Sequence, residues 1–138
     1  MIRPCILDDV PWILTQSRLA HVPLVEEYDE PAVEIWVRAC IGSERMITMR
    51  GEAVIGVGSM FAFPWAPSTQ VCMLSHFFRP PGKGAHEAFH VIQAIDTESE
   101  RQGCRKFYID SMFADLSPFA RRLGGRPLNT MWVVEHGR

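Results

Sequence analysis

The chain has 138 residues, 47% of them hydrophobic and 22% charged, with a formal net charge of −2. That length suits one domain with a real core, and a near-neutral chain lacks the basic face that broad nucleic-acid binding requires. No apolar run approaches membrane-spanning length and the N-terminus carries no charged-then-apolar leader, so the expectation is a soluble, cytoplasmic protein with no membrane and no nucleic-acid partner. Cys5, Cys40, Cys72 and Cys104 are widely scattered with no C-x-x-C pair, which reads as buried free thiols rather than a disulfide framework.

In chain order, Met1 to Leu7 reads as a short strand interrupted by Pro4. Asp8 or Asp9 then caps a helix from Val10 to Ala20, with Pro11 in its first turn and Trp12, Ile13 and Leu19 as core residues. A loop from His21 to Tyr28 leads to a second helix, capped by Asp29, with Pro31 in its first turn and Val33, Ile35, Trp36, Val37 and Ile41 behind. Arg45–Arg50 and Ala53–Phe63 are strands joined at Gly51-Glu52, a hairpin signal. Gly56 and Gly58 inside the second of these predict a bulge or a close approach by another element.

After the loop Pro64–Ser68, the segment Gln70–Phe78 is an apolar strand, Arg79-Pro80-Pro81-Gly82-Lys83-Gly84 a breaker turn, and Ala85–Gln102 a long helix stopped at Gly103. A strand, a glycine-rich basic turn and a helix leave backbone N–H groups unpaired at the helix start. Together with the helix dipole, Arg79 and Lys83, they form an anion site suited to a phosphate-bearing ligand. The alternative for such a turn is a purely structural one. Arg105–Ser111 follows as a strand, Ser117 as N-cap with Pro118 in the first turn opens a short helix ending at Leu123-Gly124-Gly125, and Leu128–Glu135 is a last strand. Early antiparallel strands followed by a strand–helix–strand crossover give an α/β (α+β) fold: a mixed, mostly antiparallel central sheet with helices on both faces.

This order resembles the GNAT superfamily of acyl-CoA-dependent N-acyltransferases over nearly the full length. Ile2-Arg3-Pro4 with Asp8-Asp9 resembles the family's opening strand and helix, and Arg50-Gly51-Glu52-Ala53-Val54-Ile55-Gly56 its second hairpin. Gly103-Cys104-Arg105-Lys106-Phe107-Tyr108-Ile109 is similar to the exit from its central helix, and Phe119-Ala120-Arg121-Arg122-Leu123-Gly124-Gly125 to the late helix closing on glycine. The resemblance implies acetyl-CoA as cosubstrate and a small-molecule or peptide amine as acceptor. The family's cofactor signature (arginine or glutamine, two residues, glycine, one residue, glycine) lies on the chain in two registers. The literal one covers Arg79 to Gly84, which makes the helix longer than is usual in the family. The other, which keeps the helix length, puts Phe78 and Pro80 on the strand end and Lys83-Gly84-Ala85-His86-Glu87-Ala88 on the phosphate turn, and is degenerate in the manner of some phage-encoded members.

The resemblance therefore implies a cofactor site of Phe77, Phe78, Arg79, Gly82, Lys83, Gly84, Ala85, His86 and Ala88, with backbone N–H near Phe77 and Phe78 polarising the thioester. His76, which titrates near neutrality, is the candidate base; a water relay through Ser75 or Asp110, and a merely hydrogen-bonded core histidine, are the alternatives. The family's late-helix tyrosine is replaced by Ala120, leaving Ser117 as the nearby hydroxyl. The chain ends 13 residues after Gly125, room for one strand where the family has two, which implies a sheet edge open to a second subunit in a homodimer. The acceptor pocket falls to the first two helices and their loop, where Glu26, Glu27 and Asp29 point to a cationic substrate.

A competing pattern overlies the same turn. His86-Glu87-Ala88-Phe89-His90 matches H-E-x-x-H, in which two histidines one helical turn apart hold zinc and the glutamate activates its water. The two histidines are read as plain helix residues, as phosphate-facing residues or as ligands; no metal is the expectation. Three functions stay open: an acetyltransferase, a non-catalytic GNAT-fold binding protein or phage structural or accessory component, and a zinc-dependent hydrolase.

Overall fold

The computed structural model describes residues 1–22, 27–110, 115–128 and 132–137. Among them five strands form a sheet in chain order: β1 (Arg3–Pro4), β2 (Met46–Arg50), β3 (Ile55–Ala62), β4 (Gln70–Phe78) and β5 (Phe107–Ile109). The neighbours from β1 to β4 are antiparallel, and β4 and β5 are parallel, joined by the crossover helix α3 (Ala85–Arg101). Helices α1 (Val10–His21) and α2 (Glu30–Gly42) cover one face, sharing a core of Val10, Ile13, Ala20 and Val37 with Cys5, Ile55 and Phe78. On the opposite face Val91, Ile92 and Ile95 of α3 pack on Ile47, Met49, Cys72 and Leu74, and α4 (Ser117–Arg122) joins that core through Phe119. The expected mixed sheet with helices on both faces is what the chain forms.

The strand glycines serve close approach. A Cβ on Gly56 would lie 2.6 Å from Ile95 Cδ1, and one on Gly58 2.7 Å from Ile95 Cγ2, so α3 settles against bare backbone. Asp29 caps α2 as expected, accepting the Ala32 N–H at 3.1 Å.

Asp9 does something other than cap α1. Its carboxylate accepts the Ile6 N–H at 2.8 Å, closing a 3-10 turn at Leu7–Asp9, and binds Arg3 at 2.7 and 2.9 Å and Arg50 at 3.0 Å. The Arg3 hydrogen bond, against the opposing effect of burial, holds its pKa down at about 2. The turn also cuts β1 to two residues, since the chain leaves the sheet to enter it.

Other expectations shift for tertiary reasons. Leu19 and Ile35, read as core, are 44% and 72% exposed because each points away from its helix's buried stripe. β3 starts at Ile55 rather than Ala53, the intervening N–H groups being bonded to a glutamate of α3. The last expected strand, Leu128–Glu135, is not a strand where it is described: Leu128 and residues 132–135 have no ladder partner, and residues 129–131 lie outside the described residues. No helix among the described residues is long and apolar enough to cross a membrane.

Candidate active site

The register of β3 on β4 slips in the middle. Val57 faces His76 while Gly58 faces Leu74, so Ser75 is an extra residue, a β-bulge. Its hydroxyl repairs part of the broken ladder, donating to Val57 O at 3.2 Å and meeting Ser59 Oγ at 2.8 Å. The bulge resets alternation: Ser75 and His76 both turn towards the α1/α2 face, Phe77 packs on the α3 core and Phe78 is buried among α1 and α2. Pairing with β5 stops at Leu74–Ile109, four residues before β4 ends. The backbone from Ser75 to Phe78 thus has no strand neighbour on that side among the described residues. That is an edge on which an extended ligand can lie like an added strand.

Beyond Phe78 the chain turns through Pro80–Gly84. The Lys83 N–H donates to Pro80 O at 3.1 Å, and Arg79 Nε braces the same turn by donating to Lys83 O at 2.9 Å. Gly84 has φ +74° and a Cβ there would sit 2.2 Å from Val54 Cγ2, so both conformation and space demand glycine. Gly84 is the N-cap of α3 and its carbonyl takes the Ala88 N–H at 2.9 Å. The N–H groups of Ala85, His86 and Glu87, one turn earlier, have no intrahelical acceptor. Arg79, Lys83 and His86 are exposed around them. Ala88 is different from its expected role: it is fully buried and its N–H is already used.

Glu87 at the third helical position turns away from its own helix start. Its carboxylate accepts three backbone N–H groups of the β2–β3 turn, from Glu52 at 2.9 Å, Ala53 at 2.5 Å and Val54 at 2.8 Å. Burial would raise its pKa, but the three donors together outweigh that and hold it below the ordinary glutamate value. A Cβ on Gly51 would collide with this carboxylate at 2.5 Å. A glutamate so occupied is not free to act as base on a metal-bound water. The His86 and His90 rings stand 6.4 Å apart, and no group of three or more His, Cys, Asp or Glu side chains placed to hold a metal occurs among the described residues. What H-E-x-x-H encodes here is a tether between α3 and a hairpin.

His76 is exposed at its edge, with Trp36 of α2 against its ring at 4.3 Å and Phe78 at 6.3 Å. Although one edge is open, the side of the ring under Trp36 is shielded, and this partial burial, with the charge of His21 second, lowers its pKa and favours the neutral imidazole. His21 lies edge-on to Phe78 at 4.6 Å, and Tyr28 donates its hydroxyl to Ser17 Oγ at 3.1 Å. Sequence reasoning took Trp36 only as a helix packing residue and His21 and Tyr28 only as the ends of a loop; the signal available was that two of them flank the α1–α2 connection. Of the expected acidic residues there, Asp29 is used as a cap, Glu27 is exposed and Glu26 lies outside the described residues.

Ser117 is the first residue of α4 rather than its N-cap, which is Leu116; its N–H is taken by Asp115 Oδ1 at 2.9 Å. No hydrogen bond or ring contact among the described residues joins Ser117 to His76. Ala120 lies inside α4, its carbonyl receiving the Gly125 N–H at 2.9 Å while Gly124 has φ +85°, a Schellman closure.

No protein-family model matches the sequence, and no curated protein does. Solved structures do match in fold. A GNAT family acetyltransferase from Staphylococcus aureus superposes with a TM-score of 0.69 at 10% identity, covering 99% of this chain and 97% of its own. The aminoglycoside N-acetyltransferase AAC(6')-Iy, in complex with CoA, gives 0.75 at 12% identity, covering 99% and 93%. A predicted acetyltransferase from Clostridium acetobutylicum, solved with acetyl-CoA, gives 0.75 at 9% identity, covering 98% and 95%.

Proposed function

We propose that this chain, whose fold is that of the GNAT acetyltransferases, transfers an acetyl group from acetyl-CoA to the primary amine of a small molecule or peptide. The observation that carries this reading is the break at the end of β4. One strand end supplies a backbone edge, Ser75–Phe78, without a strand neighbour among the described residues, and after it comes a helix start with unpaired N–H donors beside Lys83. That pair fits a ligand with a pyrophosphate at one end and an extended amide-bearing arm at the other.

In this reading Lys83 and the N–H groups of Ala85, His86 and Glu87 hold the pyrophosphate, with Arg79 and Gly82 shaping the turn and Gly84 allowing it. The open backbone at Phe77 and Phe78 orients the arm and polarises the thioester carbonyl, a preorganised contribution of the oxyanion-hole kind. His76, neutral at working pH, takes the amine proton. The new N–C bond forms on the acetyl carbon, the C–S bond breaks, and the sulfur leaves as thiolate. A thiol of ordinary pKa, about 8.5, departs without an acid. Ser117 is the candidate proton donor in place of the residue missing at Ala120.

Ala120 also favours a second reading, a protein that keeps the fold as a binding or structural component without catalysis. Titration calorimetry separates the two: the transferase binds acetyl-CoA at micromolar levels and releases free thiol with an amine, whereas no heat and no thermal shift support the second. Elemental analysis tests the zinc reading, and stoichiometric zinc lost with His90→Ala would replace the CoA site altogether. β5 is the last strand of the sheet among the described residues, and Trp132, Val133 and Val134 are 87%, 81% and 74% exposed; these features support a homodimer, checked by sedimentation velocity. The four cysteines are free, which accords with a cytoplasmic location.

A further inference from the structure

Resting on the transferase reading, we propose that the acceptor is a monocationic amine bearing an aromatic ring, its nitrogen at Asp110 and its ring on a shelf of Phe61, Phe63, Trp65 and Tyr108. The shelf lies on the α1/α2 face of the sheet, along the lower part of β3, β4 and β5. Phe63 is its hub: it stacks on Trp65 at 4.8 Å with planes 8° apart, meets Phe61 edge-on at 5.1 Å and Tyr108 at 6.2 Å. Trp65 is 79% exposed, so the stack ends in an open ring face. Tyr108 is paired with Met73, and Phe107 and Ile109 on either side of it pack on the α3 core, which turns Tyr108 to this face.

Continuity with the proposed acetyl slot decides the occupant. Alternation carried one residue past Ile109 brings Asp110 to the same face as Tyr108, level with the bulged Ser75 where β4 and β5 part. Asp110 has no ion pair or hydrogen bond among the described residues, unlike Asp9, Asp29, Glu30 and Glu34, which are each engaged. One unengaged carboxylate just past the β5 end attracts one ammonium. A polycation would want several, but the strand positions around the slot hold Ser59, Met73, Ser75 and Tyr108. Asp110 and Tyr108 are two residues apart, roughly 7 Å along an extended chain, a span that a two-carbon tether between nitrogen and ring covers.

The test is equilibrium binding to the full chain of phenethylamine, propylamine (charge without ring), phenethyl alcohol (ring without charge) and spermidine, with acetyl-CoA titrated into the same preparations. Phenethylamine is expected to bind at least about tenfold more tightly than each of the other three. Tyr108→Ala and Phe63→Ala should each weaken phenethylamine about 3- to 10-fold and leave propylamine unchanged. Asp110→Asn should weaken both monoamines about 10- to 150-fold and spare phenethyl alcohol. Trp65→Ala, at a site too exposed to unfold the chain, should reproduce part of the ring effect. Propylamine equal to phenethylamine, spermidine the tightest, or no response to Trp65→Ala and Tyr108→Ala overturns the proposal. So does a dimer that masks the shelf from phenethylamine. Acetyl-CoA binding without phenethylamine binding defeats this inference alone, and phenethylamine binding without acetyl-CoA binding defeats the transferase reading alone.

Discussion

The two faces of the sheet follow different rules. Against α3, Gly56 and Gly58 let Ile95 press onto bare backbone, and Cys72, Leu74, Val91 and Ile92 fill the remainder at 0–1% exposure. Against α1 and α2 the sheet presents His76, Ser75, Ser59 and a row of aromatic rings, partly open to solvent. The first face is close-packed, with burial pushing its Cys72 thiol up to about 12, and the second combines rings, hydroxyls and an imidazole. The difference teaches where stability and chemistry are kept in the proposed reading: the locked stem of α3 would hold the Pro80–Gly84 turn in place for a phosphate, while the opposite face would receive the substrate.

This contrast can be broken. The largest expected effect is on chemistry: His76→Gln should lower kcat about 10²- to 10⁴-fold with little change in melting temperature. Because the pKa of His76 is lowered, wild-type kcat/KM should rise with pH on the acid side of the ordinary histidine value and then level off; the variant should lose that limb. If His76→Gln instead unfolds the protein, the division of the faces is wrong. The counterpart on the packed face is Ile95→Ala, expected to cost about 2–5 kcal/mol in urea unfolding while the folded fraction still binds acetyl-CoA normally. Next comes Lys83→Ala, which should weaken acetyl-CoA about 10- to 150-fold by calorimetry and leave stability unchanged. His86→Ala should do less, since the backbone donors remain.

The smallest effect sharpens the comparison within the α1/α2 side, where one acid is structural. Asp9 has a depressed pKa of about 2, so its contribution is present above the unfolded value near 3.8 and is lost as pH falls towards 2. Arg3 is 40% exposed, so screening reduces the contribution to about 1 kcal/mol. Melting temperatures at pH 5 and pH 2.5 should differ more for the wild type than for Asp9→Asn.

Much of the frame was legible. The bounds of β4, the start of α3 at Ala85, the Asp29 cap and the tight glycines all follow from local patterns: an apolar run, a breaker turn, a capping side chain and missing Cβ atoms in a strand. Glu87 was misleading, since its three partners lie more than 30 residues away and the local motif names a different chemistry. Ile35 and Leu19 were misplaced because an apolar side chain on a helix says nothing of which stripe meets the sheet.

By itself, then, the sequence determined the order of the helices and strands from α1 to α4, the strand–turn–helix at Gln70–Arg101 and the donors gathered at its turn, because helix starts, glycine turns and apolar runs are properties of neighbouring residues. Only the tertiary structure decided that Ser75 bulges, that the described pairing of β4 with β5 ends at Leu74, and that His76 meets Trp36 while Phe63 meets Tyr108. The physical reason is that a bulge is a mismatch between two strands and the end of a pairing is shared by both. Register belongs to a pair of strands, so neither strand's residues contain it alone.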